Sequence, residues 1–344
     1  MSMAVVGLDH IHAAGFLESL TQGQRDFDVA AIVEPSAPLM ETVPPPLRSV
    51  PRYDTIDALL AQGRPTAALV TLPNKDAPRA IAQLAEAGVH VLVDKPGART
   101  AAEAAAAFGA ARRAGVVAGT GLGQRLNPAF RHVRDRFRRG ELGELRSVDC
   151  VYVTADPFLR GAGHYLFDKE TSGGGMLHWL GIHALDQFTW VTGRRVRTVQ
   201  AQLATVTGAP IDVEDVATVT LTFDNGARGL LHCGYVLHQP GNEVRFGFHG
   251  TKGSAIVALE DGRWTVRYLW PGGRETCWVT EESLRFRLDH PPGYGWTLLA
   301  DFAAAVRAGR DPIAPGEAIV DVLRLVEKAY ESAALGAPVD VEGP

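Results

Sequence analysis

Val89-His90-Val91-Leu92-Val93-Asp94-Lys95-Pro96-Gly97 is the stretch on which the fold turns. It reads as a short buried strand that stops abruptly on a charged pair and a proline. The residues before it, 77–88, carry Ala and Leu at helical spacing and close on Gly88, a C-cap signal. Helix, glycine, β-branched strand and polar strand end make half of a βαβ unit. In open parallel sheets, ligands bind beyond the carboxyl ends of the strands, which places Asp94 and Lys95 where chemistry is done. A lysine at a strand end is, taken alone, more often a solvated charge.

Working back toward the N-terminus, Ala4-Val5-Val6 is a strand and Gly7-Leu8-Asp9-His10-Ile11-His12 the turn after it, with a helix over 13–20. A dinucleotide turn has G-x-G-x-x-G here, so that backbone amides and the helix N-terminus meet a pyrophosphate. Only Gly7 survives. Asp9 stands at the second glycine, as a helix cap or with its carboxylate turned away from phosphate, and His12 stands at the third. His10 and His12 lean toward cofactor contact. No metal is expected, because no carboxylate or thiol has a recognisable ligand spacing to His10-x-His12. The strand Val29–Val33 ends on Glu34, the acidic group that a ribose 2′-hydroxyl needs roughly 20 residues past the glycine turn. Pro35 and Ser36 follow, with no arginine for a 2′-phosphate, so NAD is favoured over NADP. The strand Ala67–Thr71 ends on Leu72-Pro73-Asn74. A helix over 101–114 and a strand at Val116–Ala118 complete a doubly wound α/β sheet, assigned to residues 1–120.

From residue 121 onward the pattern changes to an α+β domain, taken as 121–344. Gly121 to Pro128 form a loop into an arginine-bearing helix whose charged side reads as a solvated face. Segments 146–153, 217–223, 227–235, 243–249 and 254–259 alternate like strands of an open antiparallel sheet. Asp224-Asn225-Gly226 and Glu260-Asp261-Gly262 supply hairpin turns. The run Gly173-Gly174-Gly175 begins a helix that carries His178, Trp179 and, one turn on, His183. Helices over 296–308 and 315–334 close the chain.

With 344 residues, two domains are the default, and no apolar run reaches the roughly 20 residues of a membrane span. The net charge of −5 argues against nucleic acid as a partner. Three scattered cysteines, Cys150, Cys233 and Cys277, suit reduced buried thiols in the cytoplasm, and nothing at the N-terminus suggests export.

These pieces resemble the glucose–fructose oxidoreductase, inositol dehydrogenase and MocA family. The likeness rests on Asp94-Lys95-Pro96 (close to the family's Glu-Lys-Pro), Pro73-Asn74, Arg125 to Pro128, the glycine run leading to His183-Ala184-Leu185-Asp186, and Gly250 to Ser254. The resemblance implies a Rossmann domain holding a nicotinamide cofactor and a C-terminal domain whose sheet serves as an interface in a homodimer or homotetramer. It implies hydride exchange at a carbinol or ketone carbon of a sugar, cyclitol or related small molecule. Lys95 would be the family's active-site lysine and His183 its general base. Gly7, Asp9, His10, Ile11, His12, Glu34, Thr71, Leu72, Pro73, Asn74, Asp94 and Lys95 would line the cofactor. Arg125, His164, Tyr165, His178, Trp179 and Tyr294 are candidate substrate residues, with Trp296 beside them. Three positions depart from the family pattern: the aspartate-histidine turn, Ala77 in place of a histidine, and Trp179 where many members have an aspartate. The two other readings are a redox-neutral, NAD-assisted elimination or epimerisation of a glycoside, and a nucleotide-binding regulatory protein without turnover.

Overall fold

The computed structural model describes residues 1–22, 25–271, 279–286 and 295–341. The chain divides into two compact units, Met1–Leu126 with Glu170–Gly173 and Asp289–Asp321, and Asn127–Lys169 with Gly174–Leu288 and Val322–Pro344.

In the first unit, β1 (Ser2–Val6), α1 (Ala13–Thr21), β2 (Asp28–Val33), α2 (Ala37–Glu41), β3 (Arg52–Tyr53), α3 (Ile56–Gln62), β4 (Ala67–Val70), α4 (Ala77–Glu86), β5 (His90–Val93), α5 (Ala101–Arg113) and β6 (Ala118–Thr120) alternate. All strand pairs are parallel, in the order β3-β2-β1-β4-β5-β6. The order reverses between β1 and β4, and the loops at their carboxyl ends flank the expected ligand position. β4 is buried at every residue and β5 at all but its first, as strands covered on both faces must be. The last strand begins two residues later than its apolar run suggests. Gly115 is left-handed, with φ +69°, and Val116 N still donates to Ala111 O, closing α5.

One helix returns to this unit from far along the chain. α10 (Trp296–Ala308) buries Leu298, Leu299, Phe302 and Ala303 in the same core as Phe16, Phe27 and Leu69. The segment after it pairs with β6, where Thr120 N donates to Ala314 O and Gly316 N to Ala118 O.

The second unit is built on nine strands in the order β14-β13-β12-β11-β7-β10-β9-β8-β15. They are β7 (Leu145–Ala155), β8 (Val196–Ala204), β9 (Val216–Phe223), β10 (Arg228–Leu237), β11 (Asn242–Gly250), β12 (Ser254–Glu260), β13 (Arg263–Pro271), β14 (Val279–Phe286) and β15 (Val339–Asp340). The sheet is mostly but not wholly antiparallel, since β7 and β10 pair in parallel. The helical segment between β7 and β8 lets the chain cross over, and the β8–β9–β10 meander then brings β10 alongside β7. The β12–β13 turn places Asp261 at φ +48° and Gly262 at φ +70°, the geometry of a two-residue hairpin loop.

α6 (Pro128–Arg138) and α9 (Ile182–Thr192) lie on this sheet, where Phe130 meets Phe246 edge-on at 4.9 Å and Phe188 meets it at 6.2 Å. The arginines of α6 are not simply a solvated face. Arg136 lies 4.2 Å over the Tyr268 ring and bonds Glu282, and Arg134 lies 4.0 Å over Trp190. Short helices α7 (Pro157–Arg160) and α8 (Lys169–Ser172) interrupt the crossover, and α11 (Ala318–Leu335) closes the chain. Among the described residues no helix is long and apolar enough to cross a membrane.

Candidate active site

The turn after β1 is held by backbone and by one carboxylate. Gly7 has φ +82°, and an added Cβ would run into the Leu72 side chain, so this position accepts only glycine. Gly7 N donates to Val33 O, Thr71 Oγ1 donates to Gly7 O, and His10 N donates to Thr71 O. Glu34 is 4% exposed and uses both oxygens: Oε2 accepts from Leu8 N at 2.9 Å and Oε1 from Ser36 N at 2.8 Å. A carboxylate offers about four lone-pair positions, so each oxygen keeps capacity for a ribose hydroxyl. Asp9 does not cap α1; the residue at that position is His12, without a side-chain cap bond. Ile11 is exposed beside it.

Sequence reading missed Arg52. It lies 18 residues beyond Glu34, but β3 pairs with β2, and its guanidinium reaches the end of β2. There Nε donates to Glu34 O at 2.9 Å and Nη2 to Pro35 O at 2.8 Å. Strand adjacency was the available signal.

At the end of β5, Lys95 is fully buried. Its peptide is clasped from both sides: its N–H donates to Asp94 Oδ1 at 2.8 Å, and its carbonyl accepts from His10 Nε2 at 3.2 Å. Asp94 Oδ2 lies 2.6 Å from His12 Nδ1 and 3.1 Å from His10 Nδ1. The fold thus supplies the carboxylate that no sequence spacing revealed. Burial pushes His10 down to about 3, so it is neutral at physiological pH. Burial pushes Asp94 up, but His10, His12 and Lys95 around it outweigh that and hold it well below the usual carboxylate range.

Asn74, completely buried, donates through Nδ2 to Ser172 O at 2.6 Å and so tethers the 170–173 segment. Its Oδ1 is a buried acceptor with no protein partner among the described residues. An orphaned acceptor, a glycine-only turn and a strand-end carboxylate with spare lone pairs fit a dinucleotide. Arg125 sits half-buried on a short turn of the same unit, over Gly123–Leu126.

In the second unit the glycine run leads into a π-helical turn, Leu177–Gly181, that continues as α9. Such turns recur at functional sites because they re-aim successive side chains. Here His178 and Trp179 are 1% exposed and His183 is 7% exposed. Trp179 meets the Tyr165 ring at 5.9 Å, and Tyr165 meets His164 at 4.5 Å, so three predicted substrate residues share one aromatic cluster. His164 also caps its own turn by accepting from Leu166 N. Tyr294 lies outside the described residues, and Trp296 opens α10 in the first unit.

Glu214 was not anticipated. Its carboxylate accepts from Gly175 N, Leu177 N and Tyr330 OH, anchoring the start of the π turn. Side chains at Gly174 and Gly175 would overlap Tyr330 OH and the Glu214 carbonyl, which explains glycine there. Burial pushes Glu214 above its ordinary value, against Tyr330 and the two amides. Between the ordinary and raised values the folded chain binds more protons than the unfolded one, so stability falls as pH rises through that window. Buried His10 works in the opposite sense over part of the same range, so the Glu214 contribution is read as a difference: in thermal melts the stability of the wild type relative to Glu214→Gln should fall from about pH 4.5 upward, the ordinary glutamate range. At the acid end of that window the lost acceptor in Glu214→Gln should cost about 1–3 kcal/mol.

Residues 1–122 match the family model "Oxidoreductase family, NAD-binding Rossmann fold", and residues 130–256 match "GFO/IDH/MocA C-terminal domain". The chain is 30% identical over 259 residues to 1,5-anhydro-D-fructose reductase of Ensifer adhaerens, covering 74% of each. It is 26% identical over 306 residues to rhizopine catabolism protein MocA of Rhizobium meliloti, covering 88% of this chain and 86% of that one. A levoglucosan dehydrogenase structure in complex with NADH has the same fold, with TM-score 0.85 at 21% identity over 100% of both chains. The two halves define a nicotinamide-dependent oxidoreductase built on a Rossmann unit. The chain belongs to the GFO/IDH/MocA family.

Proposed function

We propose that this oxidoreductase works with NAD in preference to NADP, on a secondary alcohol or ketone carbon of a sugar, cyclitol or similar polyhydroxylated molecule. The observation that carries the reading is Lys95, a fully buried lysine at the carboxyl end of β5 whose peptide is held at both its N–H and its C=O. When bound, the nicotinamide supplies the acceptor or donor of hydride. Lys95 hydrogen-bonds the reacting oxygen and holds its proton, and His183 is the general base or acid toward that hydroxyl. The Gly7 turn and the start of α1 receive the pyrophosphate, and Glu34 takes the ribose hydroxyls. Arg52 spends its guanidinium on two backbone carbonyls beside the Glu34 side chain, which disfavours a 2′-phosphate. Tyr165, half-buried and backed by the buried Trp179, offers an aromatic face to the apolar side of a sugar ring, in place of the carboxylate that many relatives use.

Val151 and Leu230 stand exposed on one face of the second sheet, which supports a homodimer or homotetramer. Free, buried Cys150 and Cys233 suit a cytoplasmic location, whereas Cys277 lies outside the described residues.

The test is a screen of sugars, cyclitols and their keto forms with NAD or NADH, read by nicotinamide absorbance, with His183→Ala alongside. Turnover of at least one polyol, reduced about a hundred- to ten-thousand-fold in the variant, is the expected result. NADH binding without turnover of any of them contradicts the reading and favours a regulatory nucleotide binder.

A further inference from the structure

We propose that His10, His12 and Asp94 form a binding site for one divalent cation of the zinc class. The three side chains come from the turn after β1 and from the end of β5, and one ligand atom from each lies within 4.8 Å of the others. His10 Nδ1 and His12 Nδ1 both face the same oxygen, Asp94 Oδ2, at 3.1 Å and 2.6 Å. Two imidazole nitrogens and one carboxylate oxygen are a three-residue set that zinc accepts while keeping a fourth position open. Magnesium and calcium want oxygen ligands and suit this set poorly.

The ligands are also braced from behind, as in built metal sites. His10 Nε2 donates to Lys95 O, which makes Nδ1 the nitrogen that carries the lone pair and sets the plane of the ring. Asp94 Oδ1 accepts from Lys95 N, so Oδ2 is the oxygen presented to both histidines. The His10 and Asp94 side chains are 1% and 0% exposed, whereas His12 is 21% exposed and provides the access. In the present geometry His10 Nδ1 accepts from His12 N at 3.2 Å, a long bond that coordination replaces. Metal–ligand bonds of about 2.0–2.2 Å in a tetrahedron set ligand atoms about 3.3–3.6 Å apart, so the His12 ring swings back from its 2.6 Å approach to Asp94 to admit the ion. The site lies directly before α1, on the turn where His12 occupies the place of a glycine.

The test uses the full chain, stripped with a chelator and titrated with zinc against a chromophoric zinc indicator, with magnesium as control. One equivalent of zinc per chain, no competition by magnesium, and at least about tenfold weaker binding in His12→Ala are expected. Cobalt(II) added to the wild type should give the intense visible bands of a four-coordinate site, a readout that does not depend on the variant folding. Substoichiometric zinc, or affinity unchanged by His12→Ala with no such cobalt spectrum, overturns the site. NADH titrated in parallel separates the two readings: NADH binding without zinc binding ends only this proposal, and zinc binding without NADH binding ends only the cofactor assignment.

Discussion

Lys95→Met should lower kcat/KM by about a hundred- to ten-thousand-fold, the range that a positioned proton-transfer group contributes, while NADH binding changes little. Methionine is the informative replacement. It keeps the length of the buried stem and fills the same volume, so packing around a fully buried side chain survives. It removes the ammonium and leaves the packing of the stem in place, so the melting temperature should stay near that of the wild type. The expected signature is therefore opposite in the two measurements: rate lost, stability kept. A loss of rate accompanied by a collapse in melting temperature would instead assign Lys95 a structural role. Unchanged turnover would remove it from the mechanism. Both quantities come from one preparation, by steady-state kinetics and a thermal melt.

Gly121→Ala tests the same lysine through its backbone. A methyl group on Gly121 would overlap Asp94 Oδ1 and lie 2.5 Å from Lys95 N and 3.1 Å from Lys95 Cγ. Two of those neighbours are the atoms that clasp Lys95, and one is backbone, so relief requires the end of β5 to move. A displacement of about 1 Å in a reacting group costs about a hundredfold in rate. We expect kcat/KM to fall by at least that factor, with a drop of a few degrees in melting temperature. Gly123→Ala is the matched control. Its Cβ would meet only Leu298 at 3.5 Å, an ordinary contact, and its rate should stay near that of the wild type. Wild-type rates in Gly121→Ala would show that Lys95 does not need its present position.

Most of the architecture is legible in the chain because local rules agree there. Residues 89–97 announce strand, stop and site together, and the hairpin residues Asp261 and Gly262 adopt the left-handed conformations that their turn requires. What stays hidden depends on contacts distant in sequence. Nothing near Trp296–Ala308 states that this helix belongs to the first sheet's core; its apolar face matches either unit. The parallel β7–β10 pair likewise follows from a crossover and not from strand composition.

The site divides in the same way. Gly7, Glu34, Asp94, Lys95 and His183 stand at positions that motif and strand-end arguments single out. Glu214 and Tyr330 are silent in sequence, because their meaning comes from carbonyl and amide groups that the glycine run brings close. Arg52 becomes visible only once β3 is laid beside β2. The absence of a carboxylate near His10-x-His12 in sequence was the argument against a metal, and Asp94, 82 positions from His12, supplies that carboxylate.

Calorimetric titration of the cofactor-stripped protein with NADH and, separately, with NADPH tests the central claim most directly. Glu34 at the end of β2, beside an Arg52 already committed to carbonyls, predicts NADH binding at least about tenfold tighter than NADPH, a difference of about 1.4 kcal/mol. Equal affinities, or tighter NADPH, would contradict the assignment of Glu34 to the ribose. Failure of either nucleotide to bind would contradict the account of this turn as a dinucleotide site.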